Sequence, residues 1–226
     1  MVGVELPGRA PKSLAGTFSM VARCHRTSAL GVCVSTAVPA VGSVVPHVGL
    51  RVGAIATQGY TNVLYGIDGL RLLEKGFSPQ TTLDTLLAED SKKELRQVAI
   101  IDRRGRKAAF TGEGTLGWRG HMIEEDCVAA GNMLTSGKVL EIMVGAFQGS
   151  DGWLAERLML SLEAGDKAGG DRRGRMSAAL LVADEELVSE TRPLLSLRVD
   201  VHPRPVKELR TAFETYKEWI EAAQGT

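Results

Sequence analysis

Short apolar runs of strand length, set between glycine- and proline-rich turns and paired helical patterns, constrain this chain more than any other feature. TFSMVAR begins at Thr17, and ALGVCVST follows it after the turn residues Arg26, Thr27 and Ser28, so a hairpin is the simplest reading. Residues 41–58 are rich in Gly and Val and read as two further short strands ending at Ala56, Thr57 and Gln58. RQVAIID and KAAFTGE flank an Arg104-Gly105 turn, and a third strand falls near Cys127 to Ala130. SAALLVA has the continuous apolar character of a buried strand, and LSLRVDV alternates Leu195, Leu197, Val199 and Val201 with polar neighbours.

Between these runs the period changes to about 3.6. Ile67, Leu70, Leu73 and Phe77 share one helical face, with Gly76 as a C-cap. Ser78-Pro79 supplies an N-cap and a first-turn proline for a second helix carrying Leu83, Leu86 and Leu87. A second helical pair carries Val139, Ile142 and Met143, then Leu154, Leu158 and Leu162, with Gly165 read as its end. Pro203 and Pro205 lead into a last amphipathic helix through Val206, Leu209, Phe213, Tyr216 and Ile220. Hairpins join neighbouring antiparallel strands directly, whereas parallel strands each need a crossover, so the order implies an α+β fold. A four-layer αββα sandwich, two antiparallel sheets between helical layers, fits this count. Residues 1–16 read as a leader or extension, and 17–226 as one domain.

Composition narrows the function. The chain has 226 residues, 44% hydrophobic and 24% charged, enough to bury a substantial core. Its 27 Lys+Arg balance 27 Asp+Glu, so no overall field holds it to nucleic acid or to an anionic membrane, and neither is expected as a partner. No stretch reaches the roughly 18 apolar residues of a membrane helix, and the polar opening, broken by Pro7 and Pro11, lacks a signal peptide's apolar centre. A cytoplasmic location is the expectation. Cys24, Cys33 and Cys127 form no zinc spacing and read as reduced, buried thiols. The four histidines are dispersed, so neither a metal nor another cofactor is expected, and no Gly-x-Ser-x-Gly elbow is present.

The segments TFSMVAR, LGVCVST, AVGSVVP, VGAIATQGYTN, ELRQVAIID, AAFTGE, GNML and GGDRRGRMSAALLV resemble, in order and spacing, the family called domain of unknown function ten-twenty-eight. The likeness runs from about Thr17 to about Val182. It implies a fold similar to the N-terminal-nucleophile (Ntn) hydrolases, hence the αββα sandwich, with a nucleophile at a chain terminus. Some members of that family carry a peptidoglycan-binding domain, which implies a link to peptidoglycan metabolism. Members commonly begin Met-Thr-Phe-Ser, so that loss of Met exposes the threonine. Here sixteen residues precede Thr17.

Ntn chemistry needs Ser, Thr or Cys at a free terminus, because an α-amine with a pKa of about 7.7–8.0 can take the hydroxyl proton at neutral pH. Thr17 is the matching candidate for the nucleophile; the alternative is an ordinary β-branched strand residue. Gly16-Thr17 is the kind of junction that self-processing Ntn enzymes cleave, and the leader is otherwise a masking extension. Thr57 and Asn132 are the supporting catalytic candidates, Asn132 as an oxyanion donor, with Gln58 beside the substrate; their alternatives are strand-end and turn hydrogen bonds. No lysine falls between Lys12 and Lys75, so a proteasome-like positive field would have to come from Arg23 or Arg51. In GGDRRGRMS, Asp171, Arg172, Arg173 and Arg175 could clamp a carboxylate or phosphate, or Asp171 could pair with an arginine to pin the turn. Met176 stands where family members usually have Gln. His121, after a Trp118-Arg119-Gly120 turn, enters the site or faces solvent.

The leading expectation is therefore a threonine amidohydrolase acting on a small amide or peptide. The rival is a non-catalytic Ntn-like protein holding an anionic small molecule through residues 171–175. A homodimer is expected, because a partner commonly covers the exposed sheet edges of such a fold.

Overall fold

The computed structural model describes residues 16–185 and 195–224. Strands β1 (Thr17–Arg23), β2 (Leu30–Thr36), β8 (Cys127–Leu134), β7 (Trp118–Glu124), β9 (Ser177–Ala183) and β10 (Leu195–Val199) form one sheet, in the order β10-β9-β2-β1-β8-β7. A second sheet, β3-β4-β5-β6, contains β3 (Pro46–Gly49), β4 (Gly53–Gly59), β5 (Arg96–Asp102) and β6 (Lys107–Thr111). Every strand pairing in both sheets is antiparallel. With five α-helices among the described residues the fold is α+β, as the strand and helix order implies. No helix among the described residues is long and apolar enough to cross a membrane.

Alternation of side chains on each strand divides the apolar residues among three clusters. On β1, Phe18, Met20 and Ala22 join Leu140, Met143, Leu158, Leu162 and Phe213 from helices α3 (Lys138–Gln148), α4 (Leu154–Lys167) and α5 (Pro205–Gln224). Val21, the intervening residue, meets Val32, Ala54, Ala99, Ile101 and Val128 in a cluster between the two sheets. The other face of the second sheet, through Ile55, Val98 and Ile100, packs on Tyr65, Leu73 and Leu83 of α1 (Leu64–Glu74) and α2 (Pro79–Ala88). The expected Ser78 cap of α2 is in place, its hydroxyl accepting from Thr81 N–H at 3.0 Å. Arg210 ties α5 to α4 through Glu156 at 2.7 Å and Glu163 at 2.9 Å.

Three readings of local structure need correction. The buried face of α1 is Tyr65, Gly66, Gly69 and Leu73, not the row through Ile67 and Phe77, both of which are exposed. Glycine governs that choice, since a Cβ on Gly66 would lie 2.1 Å from His47 Cγ and one on Gly69 2.6 Å from Ile55 Cδ1. Gly165 does not end α4, which continues to Lys167; it lets the helix approach Met143 and Phe18, whose atoms lie 2.6 Å and 3.3 Å from a Cβ built there. Residues 118–120 open an edge strand, β7, with a register irregularity between Trp118 and Gly120, rather than a turn.

Candidate functional site

Thr17, Ser19 and Val21 share the face of β1 that looks toward the second sheet, because Phe18, Met20 and Ala22 face the helices. The layer between the sheets is therefore apolar from Val21 onward and polar at the end where β1 begins. Thr17 pairs with Thr36 of β2 on one side and with Asn132 of β8 on the other. Opposite them, Gln58 of β4 and Gln97 of β5 occupy the inward positions that continue the rows Ala54, Ala56 and Ala99, Ile101. All six of Thr17, Ser19, Thr36, Gln58, Gln97 and Asn132 are buried.

Burial obliges these groups to satisfy one another. Ser19 Oγ donates to Gln58 Oε1 at 2.7 Å, and Gln58 Nε2 donates to Gln97 Oε1 at 2.8 Å. The same Gln97 oxygen accepts from Asn132 Nδ2 at 2.9 Å. Gln97 Nε2 in turn lies 2.9 Å from Gly131 O, 3.0 Å from Gly120 O and 2.9 Å from Thr111 Oγ1, so its two hydrogens serve three acceptors. Thr111 Oγ1 continues the chain to Nδ1 of His121, an exposed residue of β7, at 2.9 Å. One amide thus joins both sheets at their polar end.

Beside this network lies the junction upstream of Thr17. Thr17 Oγ1 donates to Thr36 Oγ1 at 3.3 Å, and Thr36 Oγ1 donates to the carbonyl of Gly16. Arg173 Nη2 donates to the same carbonyl at 2.9 Å. Arg173 is itself held by Asp171, through Nη2 to Oδ2 at 2.7 Å and Nε to Oδ1 at 3.1 Å. Asp171 also accepts from Ala37 N–H at 3.1 Å and Arg173 N–H at 2.9 Å, which fixes the loop against the end of β2. Gly16 is sterically required, because a Cβ there would stand 2.4 Å from Met133 Cβ and 2.8 Å from Asp171 Oδ1. Thr17, 2% exposed, is covered by this packing.

Of the residues singled out from sequence, Thr17, Gln58, Asn132 and Asp171 converge on this end. Thr57 alternates to the opposite face of β4, where its hydroxyl donates to Asn62 O at 3.1 Å. Arg172 is exposed and anchors by its backbone N–H to Met133 O at 2.9 Å, while Arg175 pairs with Asp166. Arg23 closes the far end of β1, 3.7 Å from Asp126, and Arg51 lies on the turn between β3 and β4 with Glu185, so Arg173 is the cation beside Thr17. The Cys33 and Cys127 thiols are each pushed up to about 12 by burial and offer no thiolate at neutral pH.

Ser19, Thr36 and Gln97 were not distinguished in the sequence. The available signal was positional: each is a polar residue at an inward position of an apolar strand, in TFSMVAR, LGVCVST and RQVAIID.

A family model described as "Family of unknown function (DUF1028)" matches residues 17–209. No curated protein matches the chain. The chain is similar to the crystal structure of protein SPO2555 from Silicibacter pomeroyi, also assigned to DUF1028. The two share 33% identity and a TM-score of 0.81 over 88% of this chain and 85% of that one.

Proposed function

This chain belongs to the DUF1028 family, and we propose that it is an amidohydrolase of the N-terminal-nucleophile type, with Thr17 as nucleophile and a small amide or peptide as substrate. In this reading the two sheets and their flanking helices are the four-layer αββα sandwich of that class. The observation that carries it is the pair of donors, Arg173 Nη2 and Thr36 Oγ1, on the carbonyl of Gly16, the acyl group attached to the Thr17 nitrogen. Two donors, one of them cationic, stabilise the oxyanion that forms when a hydroxyl adds to such a carbonyl.

Maturation follows from that arrangement. Thr17 Oγ1 adds to the Gly16 carbonyl carbon, the bond between Gly16 C and Thr17 N breaks, and the nitrogen takes the hydroxyl proton. Water then hydrolyses the resulting ester, leaving a Gly16 carboxylate and a free Thr17 amine. In the mature site that amine takes the Thr17 hydroxyl proton as Oγ1 attacks the substrate amide, then passes it to the departing amine; water releases the acyl group. Asn132, beside Thr17 in the sheet, orients or stabilises the acyl oxygen. Gln58 and Asp171 support the site from behind. Peptidoglycan-derived amides are a natural substrate class to try first, given the family's association.

The test compares the full chain with one beginning at Thr17, each treated with a threonine-directed β-lactone and analysed by intact and peptide mass spectrometry. The expected result is a single adduct on Thr17 in the shortened chain, absent in Thr17→Ala. A folded chain beginning at Thr17 that forms no adduct refutes the proposal.

A further inference from the structure

The far end of the sheets carries a second constellation that the Thr17 chemistry does not use. β1 is seven residues long, so this end lies roughly 20 Å from Thr17 at about 3.3 Å per residue. Two turns meet there, β3 to β4 and β5 to β6, and Arg103 N–H donates to Val52 O at 3.1 Å to lock them together. Between them opens a cleft of about 420 Å³ lined by Arg51, Arg103, Arg104 and Arg106 together with apolar residues that include Leu50, Val52 and Leu73. A second cavity of about 360 Å³ shares Arg51, Arg103 and Arg104 with the first. Both volumes fall in the range of about 300–1,000 Å³ found for small-molecule sites.

Among the described residues, the carboxylates lining the two cavities are Asp102, Glu74 and Glu185. Asp102 spends its oxygens on its own turn, accepting from Arg104 N–H at 3.0 Å, Arg106 N–H at 2.8 Å and Arg106 Nε at 2.6 Å. Glu185 chelates Arg51 at 2.8 Å and 3.0 Å in the open. Arg103 and Arg104 are exposed, and neither has a carboxylate partner among the described residues. Arg51 also holds a left-handed backbone, φ 61°, at a turn position where glycine or asparagine is favoured.

From these observations we infer that the cleft between the β3–β4 and β5–β6 turns binds a small phosphorylated molecule, its phosphate oxygens taken by Arg103, Arg104 and Arg51. Guanidinium groups match phosphate oxygens in bidentate geometry, and the apolar lining residues Leu50, Val52 and Leu73 accept the organic part of the ligand. Glu185 exchanges its hold on Arg51 for solvent when the anion enters. The site is independent of Thr17 and of any event at Gly16.

Inorganic pyrophosphate is the probe. Isothermal titration into the full chain, at constant ionic strength set with sodium chloride, gives saturable one-to-one binding. Arg103→Ala/Arg104→Ala weakens it by roughly tenfold or more, the loss expected for two charged hydrogen-bond donors. Arg198→Ala, a change at an exposed arginine paired with Asp200, leaves it unaltered. As a check that needs no variant to fold, pyrophosphate protects Arg51, Arg103 and Arg104 of the wild type from phenylglyoxal, read by peptide mass spectrometry, and does not protect Arg198. Absent saturation, unchanged affinity in the double variant, or equal protection of Arg198 each overturns the assignment.

Discussion

Gln97→Leu is the most informative single perturbation of the polar end. The substitution keeps most of the side-chain volume and removes both the acceptor and the donor of the amide. Gln58 Nε2 and Asn132 Nδ2 then lose the oxygen they share, at 2.8 Å and 2.9 Å, and Gly131 O loses a donor at 2.9 Å. Each buried polar group left unmatched costs about 1–3 kcal/mol, so the two amide donors alone cost about 2–6 kcal/mol. Burying the leucine methyls returns about 1–2 kcal/mol. Taken at mid-range, these leave an expected net loss of about 2.5 kcal/mol, a large part of the roughly 5–15 kcal/mol that holds a domain together.

Urea denaturation followed by far-ultraviolet circular dichroism measures that loss, with m values unchanged if the denatured state is unaltered. The double change Gln58→Leu/Gln97→Leu discriminates further, because it also removes the Gln58 amide donor that Gln97→Leu alone leaves without an acceptor. It should cost at least about 1 kcal/mol less than the sum of the singles. Gln97→Leu within about 0.5 kcal/mol of wild type, or strictly additive singles, would show that these amides are satisfied elsewhere and that the network does not join the sheets.

Two further outcomes are expected. Gly66→Ala forces a methyl to within 2.1 Å of the His47 ring and should destabilise the chain by about 1–3 kcal/mol in the same urea assay; a neutral result would refute the close contact of α1 with β3. Stability should also fall in two stages on acidification. Burial lowers the His47 pKa, so its neutral form contributes fully above about pH 6.5 and that contribution declines below it, a stage that His47→Gln removes. The Arg96 guanidinium, 2.7 Å from Asp90, holds that carboxyl at about 2, so the pair's contribution is intact above about pH 4 and lost toward pH 2. Asp90→Asn should flatten the second stage, and a melting temperature constant from pH 7 to 3 would contradict both.

Elements with a strong period or a cap were legible in the sequence. Ser78-Pro79, the Arg104-Gly105 turn and the continuous SAALLVA strand all stand where their local chemistry puts them. The failures share a cause. Hydrophobic patterning scores side chains that bury area, whereas Gly66, Gly69 and Gly165 act by lacking a side chain, so the contact face of α1 and the length of α4 were misjudged. β7 failed for the opposite reason: as an edge strand with exposed alternate residues it has little burial to reveal it.

The polar end was legible only in part, because sequence shows that a residue is polar without showing which strand faces it. Thr17 and Asn132 are 115 positions apart in the chain and adjacent in the sheet, and no local signal joins them. Period two alone, however, separates Gln58 from Thr57: with Ala54 and Ala56 pointing between the sheets, Gln58 must follow them and Thr57 must not. The same parity places Ser19 with Thr17, and Gln97 with Ala99 and Ile101. A row of inward polar residues at one end of an otherwise apolar layer costs desolvation unless every member is matched, and here Gln97 matches Gln58 and Asn132, Gln58 matches Ser19, and Thr36 matches Thr17. The Asp171–Arg173 pair lies outside that row, on the loop before β9, and Arg173 Nη2 donates to the backbone carbonyl adjoining Thr17. The surroundings of Thr17 are therefore positioned in two ways, its sheet neighbours Thr36 and Asn132 by strand register and the Arg173 guanidinium by Asp171.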